Sequence, residues 1–404
     1  MDPQSTVPLT LISGLVPAAT ANLAEQVRAA RPGTAVVHHD LREIDAGLVR
    51  RRLQLGASDE TTVLELAHGC VSCTLRENLL PLIRRLAGTP AVRHIVVLLD
   101  EAMEPEPVCW AIRHVLAGDR PVSDFVTIDG VHTVLDRGSW LADATGDDTL
   151  DERGLRASQD DERTVAQVAL SQAEFADVLV LTGAADAWTD AKTAAVLDRV
   201  APAALRTSRL AEVPVGARRG EVTDMHGPLL HGEPPLHADC GIATLLFTAQ
   251  RPFHPERLHD ALDVLLDGVV RTRGRVWVAS RPDVALWLES AGGGLGIGNA
   301  GPWLDAPDGP AWTDVSPERR TLASLRWHPV FGDRAQEIFV VTDQASPREV
   351  EEALSAALLT DAELAAGRRE WLTYDDPFGA WHEEPCEDDH ETQDVNVTSG
   401  TEKQ

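Results

Sequence analysis

The sequence predicts an α/β chain: a mostly parallel sheet with helices on both faces, followed by a smaller α+β domain. Three observations carry this. Short apolar runs alternate with amphipathic segments through the first half of the chain, a βα rhythm. Those runs are apolar almost throughout rather than at every second residue, the pattern of strands buried on both faces of a parallel sheet. Near residues 213–240, Gly216, Gly220, Gly227, Gly232 and Pro234-Pro235 break all periodicity, and the pattern differs afterwards. The 404 residues suffice for two or three domains.

Taken in order, Leu9-Thr10-Leu11-Ile12 reads as a strand, the segment around Leu23, Val27 and Ala30 as a helix, and Ala35-Val36-Val37 as the next strand. Thr62-Val63-Leu64-Glu65-Leu66 continues the rhythm, with a helix through Leu79, Leu80, Ile83 and Leu86 and then the strand His94-Ile95-Val96-Val97-Leu98-Leu99. Phe125-Val126-Thr127-Ile128, a helix near 165–173, and Val178-Leu179-Val180-Leu181 with a helix through Leu197 complete the first domain, residues 1–215. The acidic stretch between Asp143 and Asp161 reads as a surface insertion. After a linker at 216–240, the domain 241–383 offers Ala243-Thr244-Leu245-Leu246-Phe247, a helix over 255–266, strand-like Arg275-Val276-Trp277-Val278-Ala279, the strand Ile338-Phe339-Val340-Val341 and a helix over 346–359. The tail 384–404 is acidic and poor in aliphatics, the composition of a disordered segment.

Composition excludes several roles. No apolar run is long enough to span a membrane and the N-terminus has no signal core, so a cytoplasmic location is expected, without membrane attachment. Five cysteines argue against a disulfide framework. A formal charge of −28, with Arg50-Arg51-Arg52 the one basic run of three, argues against direct nucleic-acid binding, which needs clustered Lys and Arg. Lysine is scarce, Lys192 and Lys403 against 34 arginines, a bias that a GC-rich gene would produce by itself.

The turn from Gly14 to Asn22 lies where a phosphate-binding loop belongs, between an apolar strand and a helix. Such a loop needs glycines that turn backbone N–H groups toward phosphate, a lysine for the β/γ-phosphates and a hydroxyl for magnesium. Here Gly14 stands alone: Pro17 and Ala19 occupy glycine places, Thr20 the lysine place and Ala21 the hydroxyl place. Gly14, Thr20 and Asn22 are the candidate remnants of a nucleotide site, and a plain strand-to-helix turn is an equal reading. Glu101-Ala102-Met103-Glu104-Pro105, after the strand ending at Asp100, has no glycine for a γ-phosphate. Thr182-Gly183-Ala184-Ala185-Asp186 stands where guanine would be read, with Asp186 as its one candidate base contact and no Asn-Lys before it. GTP and magnesium are therefore not expected to be held well, and turnover is expected to be absent or very weak.

His68-Gly69-Cys70-Val71-Ser72-Cys73-Thr74-Leu75-Arg76 follows a strand and opens a helix. Two cysteines at this spacing suit a shared metal, a redox pair or inert packing alike. With the altered loop, this segment and the later runs Arg251-Pro252-Phe253-His254-Pro255-Glu256-Arg257, Ser280-Arg281-Pro282-Asp283, Phe331-Gly332-Asp333-Arg334-Ala335-Gln336-Glu337 and Asp376-Pro377-Phe378, the chain resembles the CobW-like branch of the P-loop GTPases over about residues 8–383. That branch carries Gly-Cys-x-Cys-Cys-Thr-Leu-Arg, so Ser72 replaces the middle cysteine.

The resemblance implies a P-loop GTPase-like first domain and a CobW C-terminal domain. It also implies metal ligands beside the nucleotide site: Asp40, where the family has glutamate, with Cys70 and Cys73, and His39 or His68 as a fourth, a set suited to zinc. The linker residues His226, His231, His237 and Cys240 are a second candidate set, against a solvated loop. Cys386 with His382 and His390 lies in the acidic tail; Cys109, His254 and His328 read as structural. Pro17-Ala18-Ala19-Thr20, His38-His39-Asp40, the cysteine segment and 143–148 are similar to an actinobacterial subgroup of ribosome hibernation factor-recruiting proteins. That likeness implies a recruiting role under zinc starvation, with a hibernation factor as direct partner and the ribosome reached indirectly. The alternative is a GTP-dependent zinc or cobalt metallochaperone.

Overall fold

The computed structural model describes residues 6–66, 71, 74–158 and 161–379. His68, Cys70, Cys73 and the tail with His382, Cys386 and His390 lie outside the described residues.

The chain opens with β1 (Val7–Ser13), α1 (Pro17–Ala30) and β2 (Thr34–Asp40). It then forms β3 (Leu48–Leu55) and β4 (Ser58–Glu65). A wide π-helical turn over Thr74–Leu79 leads into α2 (Leu80–Ala87), β5 (His94–Leu98) and α3 (Pro105–His114). A short ladder of β6 (Leu116–Ala117) with β7 (Arg120–Pro121) precedes β8 (Val126–Asp136). After α4 (Trp140–Thr145) and α5 (Val165–Glu174) come β9 (Val178–Thr182), α6 (Ala187–Val200) and β10 (Leu205–Thr207).

These strands make one sheet in the order β10-β9-β8-β1-β5-β2-β3-β4. From β10 to β2 all pairings are parallel, as the apolar runs predict. Alternate residues serve opposite faces: Leu9, Leu11, Val37 and Val97 pack under α2 and α3, whereas Ile12, Val36 and Val96 pack with Leu23 and Val27 of α1. The parallel expectation fails at β4, which runs antiparallel to β3 as β3 does to β2. The connection through Gly56 (φ 59°) and Ala57 is too short for a crossover, so only a hairpin forms. β4 is an edge strand, exposed along nearly its whole length. The acidic stretch after Asp143 is tied down by fully buried Leu150 and by Arg153, which bonds Asp143 and Asp148.

Residues 208–242 carry no helix or strand. Beyond them lie β11 (Ala243–Ala249), α7 (Pro255–Ala261), β12 (Val269–Val276), β13 (Val284–Ala291), β14 (Gly294–Pro302), α8 (Pro317–Arg326), β15 (Gln336–Thr342), α9 (Pro347–Ala357), α10 (Asp361–Ala366) and α11 (Arg368–Trp371). Five of them form an antiparallel sheet, β11-β15-β12-β13-β14. One face receives α7 and α9 through Leu258, Val350 and Leu354. From the other face Val270, Ala291, Phe339 and Val341 join Leu170 and Val196 of the first domain in one apolar core. Gly292 approaches so closely that a Cβ would stand 2.0 Å from Gly146 O.

Candidate functional site

Ligands of parallel α/β sheets bind beyond the carboxyl ends of the strands, and here that crest is formed by Ser13, Asp40, Leu98 and the residues after them. Gly14 follows β1 at φ 148°, and a Cβ there would meet Val134 O at 2.4 Å, so the first loop glycine is required by packing alone. α1 starts at once, with Pro17 in its first turn. Pro17 has no N–H to offer, and the N–H groups of Ala19 and Thr20 both donate to Val16 O, at 3.0 and 3.1 Å. Among the described residues the N–H groups of Leu15, Val16 and Ala18 make no such bond.

Thr20, in the lysine place, is 3% exposed, and its hydroxyl donates to Pro17 O at 3.1 Å. Its side chain is buried where α1 meets the sheet, on the wall of a cavity of 380 Å3. Ala21 has no oxygen for magnesium, and Asn22 lies on the outer face of α1, accepting from Gln26 Nε2 at 2.6 Å. Asp186 is the N-cap of α6: its oxygens accept from Trp188 N, Thr189 N and Thr189 Oγ1, and the Thr189 hydroxyl foremost holds its pKa below the ordinary carboxylate value. Of the cofactor residues expected from sequence, Gly14 and Thr20 are thus engaged in packing, Asp186 in helix capping, and Asn22 in a bond along the outer face of α1.

Carboxylates and histidines populate the metal side of the crest. Asp100 is buried and accepts from Leu41 N (2.9 Å) and Ala102 N (3.2 Å); burial raises its proton affinity and that of neighbouring Glu101. Asp40 takes Arg42 on both oxygens, which lowers its pKa. His39 turns to the opposite face of β2, is 4% exposed and meets Asn78 Oδ1 at 2.8 Å; burial depresses its pKa to about 4, so it stays neutral and spends Nε2 on a protein partner.

Sequence reasoning missed His38. It faces the cavity of 380 Å3 walled by α1, β2 and the end of β5, which Glu101 also lines. Its Nδ1 lies 3.1 Å from Leu98 O. A carbonyl only accepts, so Nδ1 carries a proton, and Nε2 is the ring atom that the neutral tautomer leaves for a metal. The period-two alternation of a strand places His38 with Asp40 and away from His39, a signal available in the sequence.

The flanks of the cysteine segment are fixed nearby. Leu66 N donates to Gly47 O at 2.8 Å, and Asn78, in the turn after Cys73, is the partner of His39. Among the described residues, no three His, Cys, Asp or Glu side chains stand close enough to hold a metal ion. The linker set does not converge either: His226 is buried against Trp303 with Nε2 2.9 Å from Ala300 O, and Cys240 bonds its neighbour Asp239. Cys109 is fully buried, as expected of a core residue. No helix among the described residues is long and apolar enough to cross a membrane.

Residues 8–208 match the family model described as CobW/HypB/UreG, nucleotide-binding domain, and residues 242–358 match the Cobalamin synthesis protein cobW C-terminal domain. The zinc chaperone Rv0106 of Mycobacterium tuberculosis is 46% identical over 382 residues, spanning 90% of this chain and 91% of its own. Zinc-regulated GTPase metalloprotein activator 1 of Dictyostelium discoideum is 26% identical over 411 residues, spanning 92% of this chain and 84% of its own. Among solved structures, the zinc-bound YjiA GTPase from E. coli aligns over 88% of this chain and 100% of its own at 14% identity and a TM-score of 0.37.

Proposed function

Because this chain belongs to the CobW family, matched in its nucleotide-binding and its C-terminal domain, we propose that it handles zinc as a metallochaperone that acts by binding metal and partner, with little or no phosphate chemistry. The observation that carries the second half is Thr20, buried and bonded to Pro17 O where a phosphate-gripping lysine belongs. The first half is supported by Cys70 and Cys73, whose flanks are anchored beside His39 and Gly47, by Asp40 and His38 on the neighbouring strand end, and by the zinc-related names of two relatives. Thiolate, imidazole and carboxylate donors together suit zinc, which is cargo here and not a resident cofactor.

Two measurements test this on the full chain. Zinc titration against a competing chelator is expected to give tight binding that Cys70→Ser with Cys73→Ser removes. Equilibrium binding of GTP with magnesium is expected to be weak and to leave zinc affinity unchanged. GTP turnover that is lost on mutating the Gly14 turn would overturn the reading and make the chain a GTP-dependent enzyme.

A second reading rests on the same altered loop: a recruiter of a ribosome hibernation factor, of the actinobacterial subgroup, needs no hydrolysis. The charge of −28 favours a basic protein partner over direct contact with RNA. Retention of the hibernation factor on a column of this protein without GTP, responsive to zinc, is its expected outcome. Strict dependence on GTP and magnesium would sink it.

A further inference from the structure

A larger cavity, 790 Å3, lies away from the strand crest, between the two domains. α3 and α5 wall it from the first domain and β12 and β13 from the second, while residues 218–229 of the connecting segment close one side. Its size is in the upper part of the range of small-molecule and peptide pockets. Trp110, Phe175, Trp287 and Met225 supply apolar surface, and Trp110 and Met225 remain 47% exposed. Two arginines lie over these rings: Arg218 over Phe175 at 4.8 Å and Arg273 over Trp287 at 5.3 Å.

Most charges on the lining are paired. Glu174 takes Arg271 and Arg273, Glu289 takes Arg271 at 3.1 Å, and Glu104 takes Arg163 from behind the wall at 2.7 Å. Four groups are left over. The side chains of Arg76, of Glu106 on α3 and of Arg218 in the connecting segment make no hydrogen bond or ion pair among the described residues, and Arg273 Nε of β12 is buried without an acceptor. An unmade hydrogen bond at a buried group such as Arg273 Nε costs about 1–3 kcal/mol, and the half-buried Glu106 and Arg218 add further bonding capacity in reserve.

That reserve also identifies the occupant. The lining sets Arg76, Arg218, Arg271 and Arg273 against Glu104, Glu106, Glu174, Asp224 and Glu289, so the two signs nearly cancel. A ligand of high net charge would therefore bring charge that this lining does not answer. A peptide backbone brings none: its carbonyl accepts from Arg218 or Arg273, and its N–H donates to Glu106. We propose that this cavity binds an extended peptide segment of a partner protein, holding its backbone through Glu106, Arg218 and Arg273 and one large apolar side chain among Trp110, Phe175 and Trp287. Leu75 and Arg76 also line it, so the bound segment lies beside the helix that follows the cysteine motif. The proposal does not depend on zinc being held there.

The test uses the full chain and an acetylated, amidated hexapeptide with a central leucine in a glycine–serine frame. Its all-serine counterpart and N-acetyl-leucine are the comparison probes. The leucine peptide is expected to bind saturably, to protect Pro105–His114 and residues 218–229 from hydrogen exchange, and to outbind both comparisons. Glu106→Gln and Arg218→Gln should each weaken it about tenfold, the worth of one such bond; Glu106→Gln should leave the melting temperature nearly unchanged because its side chain makes no hydrogen bond in the free protein, whereas Arg218→Gln also gives up the contact with Phe175. Trp110→Ala, at a half-exposed position, is the second variant and should weaken it as well. Absence of saturation at about 5 mM would overturn the proposal. So would protection confined to the strand crest, or N-acetyl-leucine binding as tightly as the peptide, which would assign the cavity to a small carboxylate.

Discussion

Arg271 of β12 gives its Nε and Nη2 to the two oxygens of Glu174 on α5, 2.9 Å each, across the boundary between the domains. Both side chains are buried, and Arg273 adds a bond to the same carboxylate at 3.1 Å. Burial alone would raise the Glu174 pKa, but the two guanidiniums outweigh it and hold the value below normal, so the carboxylate stays ionised. Removing one partner strands a buried charge, which costs about 3–5 kcal/mol, whereas replacing the pair by apolar residues costs far less. Glu174→Gln and Arg271→Met are each expected to lower stability in urea by that amount, and the double replacement to recover much of it. Since the pair sits beside a core shared by both domains, a single unfolding transition is expected. A loss under about 1 kcal/mol in either single variant would show that the pair does not join the domains.

The phosphate loop is not restored by returning its lysine. Thr20 is buried and locked to its own helix turn, so Thr20→Lys forces an ammonium into the α1–sheet contact or unwinds the first turn. The expected outcome is a fall in stability of about 2–4 kcal/mol with no gain in GTP affinity. Thr20→Ala should cost only about 1 kcal/mol. Denaturation curves and binding of a fluorescent GTP analogue check both, and tight magnesium-dependent binding by the lysine variant would show that Pro17 and Ala19 do not block the site.

Stability should fall in mild acid. Burial holds His39 and His226 at a pKa of about 4, against an unfolded value near 6.5. Above pH 6.5 both states leave them neutral and nothing is lost. As pH falls below 6.5 the unfolded chain takes up protons that the folded chain refuses, so stability drops until about pH 4 and then levels off with respect to these two groups. Each can contribute up to about 3 kcal/mol. Urea midpoints compared at pH 7 and pH 5 should show the drop, and His39→Gln, which keeps a donor toward Asn78, should shrink it. An unchanged difference in that variant would remove His39 from the account.

Hydrophobic pattern made the parallel core legible, because β1, β5 and β9 are apolar on both faces and a strand is the one short element that buries them so. The same reasoning misplaced β4. Thr62, Val63 and Leu64 look like another buried run, but the two-residue turn before them permits only an antiparallel partner, and direction is set by connection length and not by residue type. β13 and β14 went unseen because β14, Gly294–Pro302, has glycine at every second position from Gly294 to Gly298 and pairs through backbone alone, with little side-chain pattern to read. At the site, the missing lysine was readable, but the burial of Thr20 was not, since it depends on how α1 leans on Gly14. His38 was passed over for His39 although both stand in one motif. Strand parity separates them, and only the cavity between α1 and β5 showed which one faces open space.

The Asp40–Arg42 pair gives the sharpest test of the metal reading. Arg42 covers both oxygens of Asp40 while itself remaining 71% exposed, so zinc must displace a solvated guanidinium before using that carboxylate. Removing the competitor should help: Arg42→Ala is expected to raise zinc affinity several-fold, about what an exposed ion pair is worth. Asp40→Asn should lower affinity, and Asp40→Asn combined with Arg42→Ala should match Asp40→Asn alone, since Arg42 then has no carboxylate to release. His38→Gln removes the free Nε2 facing the cavity and should lower affinity independently. Chelator competition at pH 7, where Cys70 and Cys73 are present in every variant, reads all four. If Arg42→Ala leaves affinity unchanged while Cys70→Ser with Cys73→Ser abolishes binding, Asp40 is not a ligand and the cysteines find their remaining donors elsewhere.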